Sequence, residues 1–353
     1  MPISVRGVLK IVSFILTFSL ILCAAILGGV VYFNSPPERT SVPAQDGIRF
    51  EDSGGLLLEV RNGETAYSVG KRLENAGIIR NRYFWYLISR LGKEHIKTGN
   101  YRIDLPASPI QIHTRLVTGD QILVRITIPE GVTLKKAARI LEDERICGSE
   151  EFLEAASLRE ILDAYNVPGT TMEGYLYPDT YLFPLAYPAS KVVSAMADNF
   201  FRRLNEIAPE ALFITANELS QRIIIASIVE REYRIPGEAT LMAGVFYNRL
   251  DIGMALQSCA TVEYVITEIQ GLPHPEILYN RDLEIVDPYN TYTQSGLPPG
   301  PISAPGETAI RAAFYPAESD YLYFRLIDPT AGQHYFSRTL DDHIRAGSLY
   351  VKG

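Results

Sequence analysis

The sequence predicts an α+β protein held by an N-terminal transmembrane helix. Three observations predict it: a charge-free apolar run near the start, strand-like and helix-like segments in alternation after it, and a helix-rich second half interrupted by a Pro/Gly/Tyr-rich stretch. Ile11 to Phe33 is uninterrupted by charge, long enough to cross a hydrocarbon core of ~30 Å, and flanked by Arg6 and Lys10 before it and Glu38 after it. Residues 1–10 are therefore expected in the cytoplasm, 11–33 in the membrane, and everything beyond about residue 40 outside. A cleaved signal peptide fits less well, because the stretch exceeds the usual ~7–15-residue apolar core and no small-x-small site ends it. Leu22 before Cys23 argues against lipoprotein processing.

Residues 34–55, with Pro36-Pro37 and Pro43, read as a spacer. Residues 56–120 form a small α/β unit: Leu56 to Val60 as a strand, Ala66 to Ala76 and Arg82 to Leu91 as helices, and Gly99 to Ile103 as a returning strand. Residues 121–172 repeat the theme as a connecting subdomain, with a strand over Gln121 to Ile128 and a helix over Thr133 to Glu142. The main mixed α+β domain is expected over 173–353. It holds helices at about 190–207, from Thr215 to about Arg234, and at 238–251, the last stopped by Gly253. The Pro/Gly/Tyr-rich stretch 271–307 follows, then a strand at 321–326 and a helix at 339–346. A loop that long inside a compact domain is functional more often than idle.

The chain has 353 residues, 47% of them hydrophobic, and a net charge of -8, which fills ordinary cores but leaves no basic footprint for nucleic acid. Cys23 lies in the apolar run. Cys147 and Cys259 are expected as free thiols, although the compartment permits pairing. His95, His113, His274, His334 and His343 show no metal-ligand spacing, and no Gly-x-Ser-x-Gly elbow is present. No metal or cofactor is expected.

One carboxylate stands out. Thr215-Ala216-Asn217-Glu218 reads as a capping box opening a helix that Pro236 must end, and Glu230 closes the apolar run Ile223 to Val229. At about 100° per residue Glu230 shares a stripe with Leu219, Ile223 and Ala226, whereas Glu232 falls nearly opposite, beside Glu218 and Gln221. Burial would raise the Glu230 pKa and keep it protonated, as a general acid requires. An ion pair with Arg234 is the competing reading.

Several ordered motifs resemble the endolytic murein transglycosylase (YceG-like) family: Glu173-Gly174-Tyr175-Leu176-Tyr177-Pro178-Asp179-Thr180-Tyr181, Ala226 to Glu232, Val245 to Leu250, Leu256-Gln257-Ser258, Tyr289-Asn290-Thr291-Tyr292 and Gly296 to Ile302. The resemblance runs from the anchor to the end of the chain. It implies a lysin-motif-like glycan-binding region over 56–120, and peptidoglycan strands as substrate. It also implies partners among cell-wall synthesis proteins and an inner-membrane protein with its catalytic domain in the periplasm. It further implies Glu230 as the single acid/base that cleaves the β-1,4 bond between N-acetylmuramic acid and N-acetylglucosamine and leaves a 1,6-anhydro end. Glu173, Asn248, Gln257, Ser258, Thr261, Tyr289, Asn290, Thr291 and Tyr292 are the expected substrate-binding residues. The chain departs from the family at Cys259-Ala260, where Asp-Pro is common, and at Ala304, where asparagine is common.

Three other functions compete. A hydrolytic muramidase would use Glu230 with Glu173, since ordinary glycosidases place two carboxylates ~5–5.5 or ~6.5–9.5 Å apart. A non-catalytic tethered scaffold would keep only glycan binding. A pyridoxal-phosphate lyase would need a lysine, and Lys191 and Lys352 lie away from the motifs.

Overall fold

The computed structural model describes residues 5–37, 46–51, 54–92 and 94–347. Much of the expected spacer 34–55, together with Glu38 and Lys352, lies outside them. The chain divides into two compact units, Met1–Leu123 with Pro184–Ala186, and Val124–Phe183 with Tyr187–Gly353.

The first unit opens with α1 (Val5–Asn34). Its apolar span Leu9–Asn34 is exposed along nearly all its length and, at 26 residues, extends about 39 Å, enough to cross a bilayer core. After it come β1 (Ile48–Phe50), β2 (Gly55–Val60), α2 (Ala66–Asn75), α3 (Arg82–Leu91), β3 (Gly99–Asp104) and α4 (Pro109–Thr118). β2 pairs antiparallel with β1 on one side and with β3 on the other, Leu58 facing Tyr101. Local chemistry starts each helix: Thr65 and Asn81 cap α2 and α3, and Ser108 with Gln111 makes a capping box for α4. Leu56, Leu58, Val69, Leu73, Trp85, Tyr101 and Ile112 fill a core of this unit's own. The strand-helix-helix-strand order matches the sequence reading, whereas β1 and α4 were not anticipated.

The second unit comprises β4 (Leu123–Thr127, whose first residue belongs to the other unit), α5 (Leu134–Asp143), α6 (Ser149–Ala155), α7 (Arg159–Ala164), β5 (Thr180–Pro184), α8 (Ala189–Ile207), α9 (Ala216–Glu232), α10 (Ala239–Asp251), α11 (Cys259–Tyr264), α12 (Asn280–Leu283), α13 (Glu307–Phe314), β6 (Tyr323–Asp328), β7 (Gln333–Ser337) and α14 (Leu340–Ala346). β4 pairs with β5, and β6 with β7 in antiparallel register. Ile126, Leu141, Phe200, Ile225, Phe246 and Ile310 belong to one core, so the expected connecting segment 121–172 shares its interior with 173–353. α9 lies at the centre of this unit, packed by α10, α11 and α13. Its capping box is present, with Thr215 and Glu218 each bonding the other's backbone N–H. Residues Ile223 to Val229 are buried without a break.

Candidate active site

Because α9 is surrounded, its last turn presents two carboxylates to different neighbours. Glu230 lies against the segments 130–131 and 304–306. Its Oε2 accepts the Gly306 N–H at 2.8 Å and its Oε1 accepts the Tyr233 hydroxyl at 3.5 Å. Those segments are fixed by reciprocal bonds, Gly131 N–H to the Ala304 carbonyl at 2.9 Å and Ala304 N–H to the Val132 carbonyl at 2.8 Å. Ser227 adds a further tie, accepting the Ile302 N–H at 3.0 Å. Burial pushes the Glu230 pKa up to about 7, the Gly306 N–H opposes this, and the Glu130 carboxylate adds to it. Glu130 is an exposed neighbour that the sequence reading did not single out. Arg234 forms no ion pair with Glu230, so that competing reading is not realised.

Glu232 faces a different set of neighbours. Its carboxylate accepts the Ser258 hydroxyl and the Ala260 N–H, and burial raises its pKa against both. It lines a cavity of about 450 Å³, within the size range of ligand sites, whose wall includes Gln257, Cys259, Tyr292 and Tyr323. Glu230 is not among the lining residues. Glu230 has the burial and the raised pKa expected of it, and Glu232, placed nearly opposite on the helix, is raised in pKa by burial as well. The physical reason is that α9 is exposed over its first turns but packed on all faces from Ile223 to Val229, so both carboxylates of its last turn meet neighbouring segments.

Two of the motifs are knitted together behind the cavity wall. Gln257 N–H bonds the Thr291 carbonyl at 3.0 Å, Ser258 N–H bonds Thr291 Oγ1 at 3.0 Å, and the Thr261 and Thr291 hydroxyls meet at 2.9 Å. Gln257 adopts a left-handed backbone, φ 49°, which is uncommon away from glycine and clusters at functional positions. The Tyr292 hydroxyl lies 3.2 Å from Cys259 Sγ, so the family departure at Cys259 falls inside the cavity. Cys259 and the buried Cys147 are unpaired.

The other expected substrate residues turn their polar groups to the protein. Asn248 donates to the Ser319 and Tyr321 carbonyls at 2.7 and 2.9 Å, and neighbouring Arg249 to that of Leu322 at 2.6 Å, which fixes the approach to β6. Asn290 is fully buried and donates to the Leu283 and Ile285 carbonyls. Tyr289 packs on Tyr264, ring centroids 5.0 Å apart. Glu173 is buried at the start of α5, both oxygens 3.0 Å from the Leu134 N–H, and burial pushes its pKa up to about 8. The structure thus brings Gln257, Ser258, Thr261, Thr291 and Tyr292 together, with Ser258 bonding Glu232 and with Gln257 and Tyr292 on the same cavity wall. Asn248, Tyr289, Asn290 and Glu173 sit in the supporting frame.

Residues 58–348 match the model of the YceG-like family. The chain is 27% identical over 333 residues to an endolytic murein transglycosylase of Streptococcus pneumoniae, covering 84% of this chain and 58% of that protein. It is 27% identical over 312 residues to one of Bacillus subtilis, covering 83% of this chain and 84% of the relative. The chain therefore spans little more than half the length of the pneumococcal relative. A crystal structure of a YceG-like protein from Listeria monocytogenes superposes with a TM-score of 0.56 at 29% identity, covering 82% of this chain and 98% of that one. With a family model spanning most of its length, built over the same motifs that assemble the Glu232 cavity, the chain belongs to the YceG-like family.

Proposed function

We propose that this protein is a membrane-anchored endolytic murein transglycosylase with Glu232 as its acid/base. The observation that carries the reading is a buried carboxyl, raised in pKa and fixed by Ser258 and Ala260, on the wall of a ligand-sized cavity with tyrosine faces. The names of the relatives supply the substrate class.

In this reading Glu232 protonates the oxygen leaving the muramic acid anomeric carbon, and that C–O bond breaks. The sugar's own 6-hydroxyl forms the new bond to the anomeric carbon and returns its proton to the same carboxylate. Atoms balance without water, so one carboxylate suffices. The surroundings favour this over hydrolysis. The cavity's other acid, Glu263, is bound to Arg231 at 2.8 Å and His274 at 3.4 Å, and Cys259 stands where the family commonly has an aspartate. Glu173, the second carboxylate of a hydrolytic pair, is occupied at the Leu134 N–H.

The same proposal includes glycan binding by the strand-helix-helix-strand region and partners among cell-wall synthesis proteins. It includes an extracytoplasmic cavity as well, because Arg6 and Lys10 flank the anchor on its short side. The test compares Glu232→Gln with Glu230→Gln on isolated murein. Loss of cleavage with retained binding in Glu232→Gln supports the reading, whereas loss confined to Glu230→Gln rejects Glu232, and cleavage by neither the wild type nor any variant leaves only a binding scaffold.

A further inference from the structure

The cavity beside Glu232 carries more positive charge than cleavage of a neutral sugar backbone needs. Arg231, Arg234, Arg249 and Arg325 line it against two acids, Glu232 and Glu263. Arg231 is paired with Glu263. The other three have no ion-pair partner among the described residues. Buried Arg249 gives its donors to the Leu322, Ala255 and Leu256 carbonyls and lies over the Tyr323 ring, 5.2 Å from its centroid. It is thus hydrogen-bonded without a direct ion pair; burial lowers its pKa, and the Glu232 carboxylate of the same cavity opposes this in part. Arg234 and Arg325 are exposed at the same cavity. Burial, with Arg325 and Arg249 beside it, lowers the His343 pKa, and its buried Nδ1 has no hydrogen-bond partner among the described residues.

A set of guanidinium groups without direct ion pairs in a chain of net charge -8 is a receptor for an oxyanion, which arginine binds through a planar fork. In the proposed substrate the N-acetylated sugars are neutral and the oxyanions are the carboxylates of the peptide stems. We propose that Arg234 and Arg325, backed by Arg249, bind a stem-peptide carboxylate, so that the enzyme selects strands carrying anionic peptides. This rests on the transglycosylase reading above.

The experiment uses full-length protein in detergent and two murein preparations, one native and one whose carboxylates have been coupled to methylamine with carbodiimide. The expected result is a rise in KM of about tenfold for the neutralised strands with kcat within about twofold, corresponding to loss of roughly one charge-assisted contact. Arg234→Gln/Arg325→Gln should show the same rise on native strands and no further rise on neutralised ones, as two changes acting through one contact require. Equal KM for both preparations in the wild type overturns the inference while leaving the enzyme reading intact. Cleavage of neither preparation defeats the enzyme reading itself. Competition by inorganic phosphate, with neutralisation of the strands having no effect, would reassign the receptor to a phosphate group and overturn the carboxylate assignment.

Discussion

Glu230 and Glu232 are two residues apart and both are raised in pKa, yet only one lines the cavity. The sequence made a buried carboxylate at the last turn of α9 legible, because a carboxylate at the end of an apolar helix is costly unless used or paired. The wheel projection set the two carboxylates on opposite faces, but it did not show that both faces are covered at this end, because α9 is packed all round from Ile223 to Val229 after exposed first turns. Glu232→Gln should lower kcat by about 10²–10⁴-fold, the usual worth of a general acid, with the melting temperature preserved, while Glu230→Gln should change kcat by less than about tenfold. The rate should fall as pH rises through the Glu232 pKa, at a pH above the ordinary carboxylate range. Glu173 gives a separate stability test. Its folded pKa, about 8, exceeds the ordinary 4.5, so the folded state holds its proton more tightly. Stability from that proton is complete below about pH 4.5 and is lost as pH rises through about 8. Thermal melts at pH 5 and pH 9 should therefore differ more for wild type than for Glu173→Gln, and equal differences would contradict the buried-acid account.

At the scale of elements, the motifs are spread along the chain because each is one side of a contact. Gly174 has φ 81°, and a Cβ there would lie 2.4 Å from the Pro301 ring and 3.3 Å from Ile223 in α9. The glycine and the Gly296 to Pro301 loop are thus matched surfaces, which explains why Glu173-Gly174 and the proline-rich stretch occur together. Gly174→Ala combines a left-handed backbone with a clash against a rigid ring. It should destabilise the protein by roughly 1–3 kcal/mol, seen as a lower urea midpoint with unchanged m-value. The helices with strong caps, α2, α3, α5 and α9, were readable. α11 and α13 were not, because short helices beside proline- and glycine-rich segments carry too few turns to show a period, whereas α4, as long as α2 and opened by the Ser108–Gln111 capping box, carried a signal that went unread. The pairing of Gln257 to Thr261 with Asn290 to Tyr292 was equally hidden, since tertiary hydrogen bonds leave no local pattern.

For the molecule as a whole, an exposed apolar helix long enough to cross a bilayer precedes a unit that buries its own core around a three-stranded sheet. The full chain should remain with membranes after high-salt and alkaline carbonate washes, and a chain starting at residue 46 should be recovered in the soluble fraction. Retention of the shortened chain on washed membranes would show that a surface other than α1 holds it there. The central claim is that Glu232 alone runs a cleavage in which the substrate supplies its own acceptor. Mass spectrometry of murein digested by wild type, Glu230→Gln and Glu232→Gln tests it most directly. The account predicts new 1,6-anhydro ends, lighter by one water than hydrolysed ends, from wild type and Glu230→Gln and none from Glu232→Gln; reducing ends from the wild type, or continued cleavage by Glu232→Gln, would contradict it.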